Sequence, residues 1–323
     1  MERDSPCLKN RNGKPSDIGR KAGMEMGNRK NIGIYIAASI FVFALLFTSC
    51  GKNVDTEKGA PESRGIQSKE EFTVEEVRKE VMKQKTSVWK EKKVSICGDS
   101  ISTFTGYIPD YYSKYYPENG AITDVNDTWW MQVINRTGME LCRNASYSGS
   151  TVSGQSQDNH DGRYSCGDKR IADLASEDGT RPDVIIVLMG ANDLLNNISL
   201  GSYDGVSAVE EGNIETFSEA YALMLDKMKA WYPDAEIYCC TIAEVSRWND
   251  VGEKFPFVNA HGTTAGDYNA WITSIAQKKE VKLIDVYNCG ITYENAQEYT
   301  SDGTHPNVEG AKLIADKIME VFS

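Results

Sequence analysis

The run Asp183-Val184-Ile185-Ile186-Val187-Leu188-Met189 limits the fold more than any other part of this 323-residue chain. It shows no polar alternation, so it cannot keep one face in water. A strand that is apolar on both sides needs cover on both sides, as in the middle of a parallel sheet flanked by helices. Four further runs read as strands: Val94 to Gly98, Met139 to Cys142, Ile237 to Ile242 and Leu283 to Val286. Between them apolar residues recur every three or four positions. The clearest helix carries Ile214, Phe217, Tyr221, Met224, Leu225, Met228 and Trp231, and stops at Pro233 and Asp234. Thr128 reads as the cap of a helix running to about Asn135. Others follow at Ile171–Ala175 and around Tyr268, Trp271, Ile272 and Ile275. A closing helix, Val308 to Phe322, is expected to turn Ala311, Ile314, Ile318 and Val321 inward. Five strands alternating with helices predict an α/β domain, a parallel five-stranded sheet with helices on both faces.

The chemistry lies where the strands stop. Open α/β sheets carry their reactive groups at the carboxyl edge. The first strand ends in Gly98-Asp99-Ser100. Ser100 is a candidate nucleophile, but a free hydroxyl is weak and needs a base. The second strand enters Asn144 to Ser150, where Gly149 lets the backbone approach a ligand with its N–H inward. The third ends in Gly190-Ala191-Asn192-Asp193, and the Asn192 amide can donate two hydrogen bonds to an anion. Before the last helix stands Asp302-Gly303-Thr304-His305-Pro306. Asp302 is close enough to His305 for a turn to bring its carboxylate to Nδ1. Pro306 biases His305 toward extended backbone, so no helix is expected before Asn307. Serine, histidine, carboxylate and oxyanion donors are the parts that acyl transfer needs.

Gly98-Asp99-Ser100, Gly149, Gly190-Ala191-Asn192-Asp193 and Asp302-Gly303-Thr304-His305 resemble, in order, the four blocks of the SGNH hydrolases, also called the GDSL esterase family. Each block is weak alone, and four in order at strand ends are specific. The resemblance covers the chain from Val94 onward. It implies a three-layer α/β/α sandwich with a flavodoxin-like sheet. It makes Ser100 the nucleophile, His305 the base and Asp302 its orienter. The N–H groups of Ser100 and Gly149 and the Asn192 side chain would form the oxyanion hole. No cofactor or metal is implied. The implied substrate is an ester, and the family's members also act on lipids, lysophospholipids and thioesters; a tethered enzyme with an aromatic rim and no long apolar lid fits short acyl groups on carbohydrate best.

Other enzymes and binding proteins fit less well. An α/β-hydrolase elbow needs G-x-S-x-G, and Ser102 stands at the last glycine. A nucleotide-binding flavodoxin-like protein needs a Gly-rich phosphate loop, which is missing. A non-catalytic sugar-binding protein on the same scaffold stays open. The aromatic residues Tyr107, Tyr111, Tyr112, Tyr115, Tyr116, Trp129 and Trp130 suit either a sugar-binding rim or ordinary packing. Trp248, Phe255, Phe257 and His261 fall in a long loop expected to wall one side of the cleft. His160, in the turn Asn159 to Gly162, reads as solvated.

The net charge of −12 argues against nucleic acid as a partner, since phosphate binding needs clustered Lys and Arg. The 8 cysteines form no CxxC pair, so a zinc site is not expected. Cys97, Cys142, Cys239, Cys240 and Cys289 read as small buried thiols, and Cys166 falls in a polar loop without a mate. At the amino end, Arg29 and Lys30 precede an apolar run from Ile32 to Phe47, shorter than the ~20 residues of a membrane span. Thr48-Ser49-Cys50 closes it, which resembles a bacterial lipoprotein signal with Cys50 as the lipidated residue. A plain transmembrane anchor is the alternative. The organisation expected is a signal extension over 1–50, a flexible tether over 51–72, a short helix and lead-in over 73–92, and a catalytic domain over 93–323. Thr73 and Glu76 form the capping box of that short helix. The expected location is the bacterial cell envelope, with membrane attachment through the lipid.

Overall fold

The computed structural model describes Thr73 and residues 88–154, 162–206, Val209 and 214–323. The described residues all belong to one compact unit, Ser68–Ser323. The expected signal segment with Cys50, the expected tether and short helix, and His160 lie outside the described residues. No helix among the described residues is long and apolar enough to cross a membrane.

Strands β1 (Lys93–Gly98), β2 (Glu140–Asn144), β3 (Val184–Leu188), β4 (Glu236–Cys240) and β7 (Lys282–Ile284) form one sheet in the order β2-β1-β3-β4-β7. All four pairings are parallel. The five residues of β3 are all buried, which is why that run carries no polar position. The helices are α1 (Trp129–Thr137), α2 (Asp168–Ala172), α3 (Ala191–Leu195), α4 (Phe217–Trp231), α5 (Ala265–Lys278), α6 (Ala296–Tyr299) and α7 (Val308–Phe322). Helices α1 and α7 pack together on one face, and α2, α4 and α5 on the other. The result is the three-layer α/β/α sandwich of flavodoxin-like order.

Local chemistry sets the helix ends. The Thr128 side chain accepts from the N–H of Met131 at the start of α1, and Gly138, at φ 75°, closes it in the left-handed region. Helix α7 begins at Val308 with Asn307 as its cap, just beyond Pro306. Helix α4 starts at Phe217 rather than Ile214, because Ile214 pairs as an isolated bridge with Gly154.

Three expectations change, and an open alternative divides. The long loop after β4 contains an antiparallel hairpin, β5 (Ser246–Trp248) and β6 (Lys254–Pro256), too short for a periodic signal. On α7 Val321 is exposed and Phe322 is buried. Phe322 lies one helical repeat beyond Ile318 and so takes the inner position. Cys166 is fully buried rather than in an open loop, and its burial pushes the thiol up to about 12. Of the aromatic segment, Trp129, Trp130, Tyr112 and Tyr116 are core, while Tyr107 and Tyr111 are exposed.

Candidate active site

Strands β1 and β3 are neighbours, but β2 follows β1 in the chain and lies on its other side. The crevice at such a reversal of strand order, outside the carboxyl ends, is where open α/β sheets bind their ligands. Ser100 follows β1 there, the Gly149 loop follows β2 and Asn192 follows β3.

Ser100 opens a single 3-10 turn, Ser100–Ser102, which Asp99 caps by accepting from the Ile101 N–H at 3.1 Å. A side chain at Gly98 would run into the hydroxyls of Ser102 and Ser146, so the strand must end on glycine. Asp99 is buried against the turn. Burial pushes its carboxyl up to about 6, against the Ile101 N–H and the charges of His305 and Arg170.

His305 reaches the serine from the far end of the chain. Its Nε2 lies 2.8 Å from Ser100 Oγ and its Nδ1 lies 2.7 Å from Asp302 Oδ2. Asp302 Oδ1 accepts from the N–H groups of Thr304 at 2.9 Å and His305 at 2.8 Å. Partial burial draws the Asp302 carboxyl up. Hydrogen bonds from the His305 ring and these N–H groups outweigh that and leave it at about 2. An ionised carboxylate only accepts, so Nδ1 carries the proton and Nε2 faces the serine as acceptor. Gly303, at φ 87°, makes the turn possible, and a side chain there would strike the Ser246 carbonyl. Its carbonyl accepts from the Ser246 N–H at 2.8 Å, so the hairpin braces the histidine loop.

The Ser150 N–H donates to the Tyr147 carbonyl at 3.1 Å, closing a turn with Gly149 in its third position. The φ of 80° there is what a type II turn requires of that position. Asn192 sits in the first turn of α3, half-buried, after Gly190 at φ 129°. The N–H groups of Ser100 and Gly149 and the amide of Asn192 have no hydrogen-bond acceptor among the described residues.

Two buried charges that sequence reasoning passed over hold this edge together. The Asp193 carboxylate accepts from the N–H groups of Val152 at 2.8 Å and Ser153 at 3.1 Å and from the Ser153 hydroxyl at 2.9 Å. It ties α3 to the loop beyond Gly149. Burial pushes its carboxyl up to about 6, against those same three bonds. Arg170 of α2 is wholly buried. Its guanidinium donates to the carbonyls of Gly98, Ala145 and Gly162 and to the Ser150 hydroxyl. One planar fork thus fixes the end of β1, the end of β2 and the Gly149 turn. In the sequence Arg170 stands among polar residues, where a charge reads as solvated. His261 packs its Nε2 on the Asn197 carbonyl at 2.9 Å, on an exposed loop. Among the described residues no three His, Cys, Asp or Glu side chains are placed to hold a metal ion.

Residues 92–261 match the family model for GDSL-like lipase/acylhydrolase, slightly more than half the chain. The protein belongs to the GDSL-like lipase/acylhydrolase family. The SGNH resemblance read from its four blocks is therefore family membership, and the protein is an ester hydrolase. Two similar structures, from Bacteroides ovatus and Bacteroides uniformis, are assigned to the GDSL-like lipases. The first is 26% identical with a TM-score of 0.53, over 72% of this chain and 98% of that one. The second is 26% identical with a TM-score of 0.52, over 72% and 95%. A Lactobacillus plantarum protein shares the fold at 24% identity and a TM-score of 0.53, over 72% and 96%. No curated protein matches this GDSL-like hydrolase.

Proposed function

We propose that this hydrolase works through a Ser100 acyl-enzyme and removes short acyl groups, acetyl above all, from carbohydrate. The observation that carries the mechanism is the unbroken line from Asp302 through His305 to Ser100, at 2.7 Å and 2.8 Å. Ser100 Oγ bonds to the ester carbonyl carbon as its proton passes to His305 Nε2. The carbonyl oxygen becomes an oxyanion facing the N–H groups of Ser100 and Gly149 and the Asn192 amide. The C–O bond to the alcohol breaks, and the alcohol leaves with the proton from Nε2. Water then gives a proton to Nε2 and its oxygen to the acyl carbon. The carboxylic acid departs and Ser100 regains its proton.

The substrate class rests on a surface cleft along the edge strand β2. A cleft of about 410 Å³ is lined by Tyr107, Asp110, Tyr111, Arg143, Asn144 and Glu177. Exposed tyrosine faces with polar neighbours suit sugar rings. The Asn144 amide donates to the Ser102 carbonyl at 2.8 Å, which joins the cleft wall to the nucleophile's turn. A second reading, a lipid or other long-chain ester, is favoured by exposed Val251, Phe255 and Val258 on and beside the β5–β6 hairpin. Rates on p-nitrophenyl esters of rising chain length, beside acetylated glycans, separate the two. Activity is expected to fall as the acyl chain lengthens and acetate to leave the glycan, since a longer chain gains about 0.8 kcal/mol per methylene only where a pocket buries it. Rates that keep rising to long chains would reject the carbohydrate reading.

We also propose that Cys50 is lipidated and holds the enzyme at the bacterial envelope, supported by the basic, apolar and small-residue order of Arg29 to Cys50. Cys50→Ala is expected to release the protein from the membrane fraction or block its processing. Unchanged retention with normal processing would exclude lipidation. One acyl chain holds weakly, so more than one is expected.

A further inference from the structure

Tyr115 lies flat against the His305 imidazole, with ring centroids 3.7 Å apart and planes 9° from parallel. Two separate ties hold it there. Its N–H donates to Thr103 Oγ1 at 2.9 Å, and the Thr103 hydroxyl donates to the Ser100 carbonyl at 3.1 Å. On the other side Tyr116 packs edge-on against it, centroids 4.9 Å apart, and donates its phenol to the Pro306 carbonyl at 2.7 Å. The ring is anchored at once to the turn of the nucleophile and to the loop of the base. Its hydroxyl end faces the side chains of Ser301 and Asp302.

We propose that Tyr115 is a positioning residue for His305 and acts through its ring face, an inference that rests on the acyl-enzyme reading above. The imidazole is held in its own plane at two nitrogens, by Asp302 and Ser100. Those bonds leave one soft motion, a rocking of the ring about the line joining its partners. A parallel aromatic ring in van der Waals contact blocks that rocking on one side. The same face acts a second time during reaction. When Nε2 takes the serine proton the imidazole becomes a cation, and an aromatic face attracts a cation more strongly than a neutral ring. That attraction exists in the transition state and is weak in the ground state, so it enters kcat and leaves KM alone. A residue that only fills space would not divide the two constants in this way.

The test uses Tyr115→Phe, which keeps the face and loses the hydroxyl, and Tyr115→Leu, which keeps bulk and loses the face. Turnover of p-nitrophenyl acetate is measured per active serine, counted with a fluorophosphonate, so partly folded preparations do not distort the comparison. Tyr115→Leu is expected to lose about 10- to 30-fold in kcat with KM within about 2-fold of wild type. Tyr115→Phe is expected to stay within about 3-fold of wild type in kcat, since the face is retained. If the leucine variant yields no folded protein, Tyr115→Met takes its place with the same expectation. A leucine variant near wild type, a loss confined to KM, or equal losses in the leucine and phenylalanine variants would each overturn the proposal. Wild-type enzyme inactive on every ester would overturn the acyl-enzyme reading and this proposal with it. Active wild type with an unaffected leucine variant overturns the proposal alone.

Discussion

Ser100→Ala is expected to lower kcat by on the order of 10⁴- to 10⁶-fold while the protein stays folded. Ser100 Oγ, the proposed nucleophile, is the only atom removed, and His305 Nε2 lies 2.8 Å from it. The turn around it is held by other groups, the Asp99 cap and the Thr103 hydroxyl on the Ser100 carbonyl. The melting temperature should therefore move little. No acyl-enzyme can form, so any burst of p-nitrophenol disappears with the steady rate. His305→Ala should cost a similar factor, and the double variant no more than either alone, because nucleophile and base act as one unit. Residual turnover within about tenfold of wild type would remove Ser100 from the mechanism, since loss of a nucleophile costs far more than that.

Asn192→Ala is the second large effect, about 10²- to 10³-fold in kcat, or about 3–4 kcal/mol. On the proposed mechanism the loss falls on kcat, because the amide would meet charge that exists only once the tetrahedral intermediate forms, so KM should change little. Stability separates this role from a turn-forming one. The hydrogen bonds Asn192 makes with Asn196 use its backbone carbonyl, which alanine keeps. Its position in the first turn of α3 also favours alanine over asparagine as a helix former. The melting temperature should stay level or rise. A lowered melting temperature with near-normal kcat per folded molecule would make Asn192 a turn residue and leave the oxyanion to other donors.

Much of the sheet edge was legible without coordinates, because its signals are local. A strand covered on both faces must be apolar throughout, and Val184 to Leu188 is. A close approach or a left-handed turn at a strand end needs glycine, and Gly98 and Gly190 stand there. A helix start needs a side-chain acceptor, and Thr128 and Asn307 supply it. Ser100, Gly149, Asn192 and the Asp302 to His305 turn are legible for the same reason: each lies at the boundary of an element whose pattern is visible.

What holds those residues in place was decided by tertiary structure. Arg170 reaches the Gly98 carbonyl across 72 residues, and Asp193 reaches the Val152 N–H across 41. Tyr115 lies against a ring 190 positions further along the chain. A periodic pattern records which face of an element is buried, but not which partner it meets. A buried charge held by backbone groups, or an aromatic ring laid on a base, therefore looks in the sequence like any surface arginine or loop tyrosine. Even the β5–β6 hairpin, with three residues to a strand, is too short to show a period. It is tied to the histidine loop by the Ser246 bond with Gly303. Residue type and chain order determined which groups can react. The fold decided how rigidly they are aimed, because aiming depends on contacts between segments that the sequence keeps far apart.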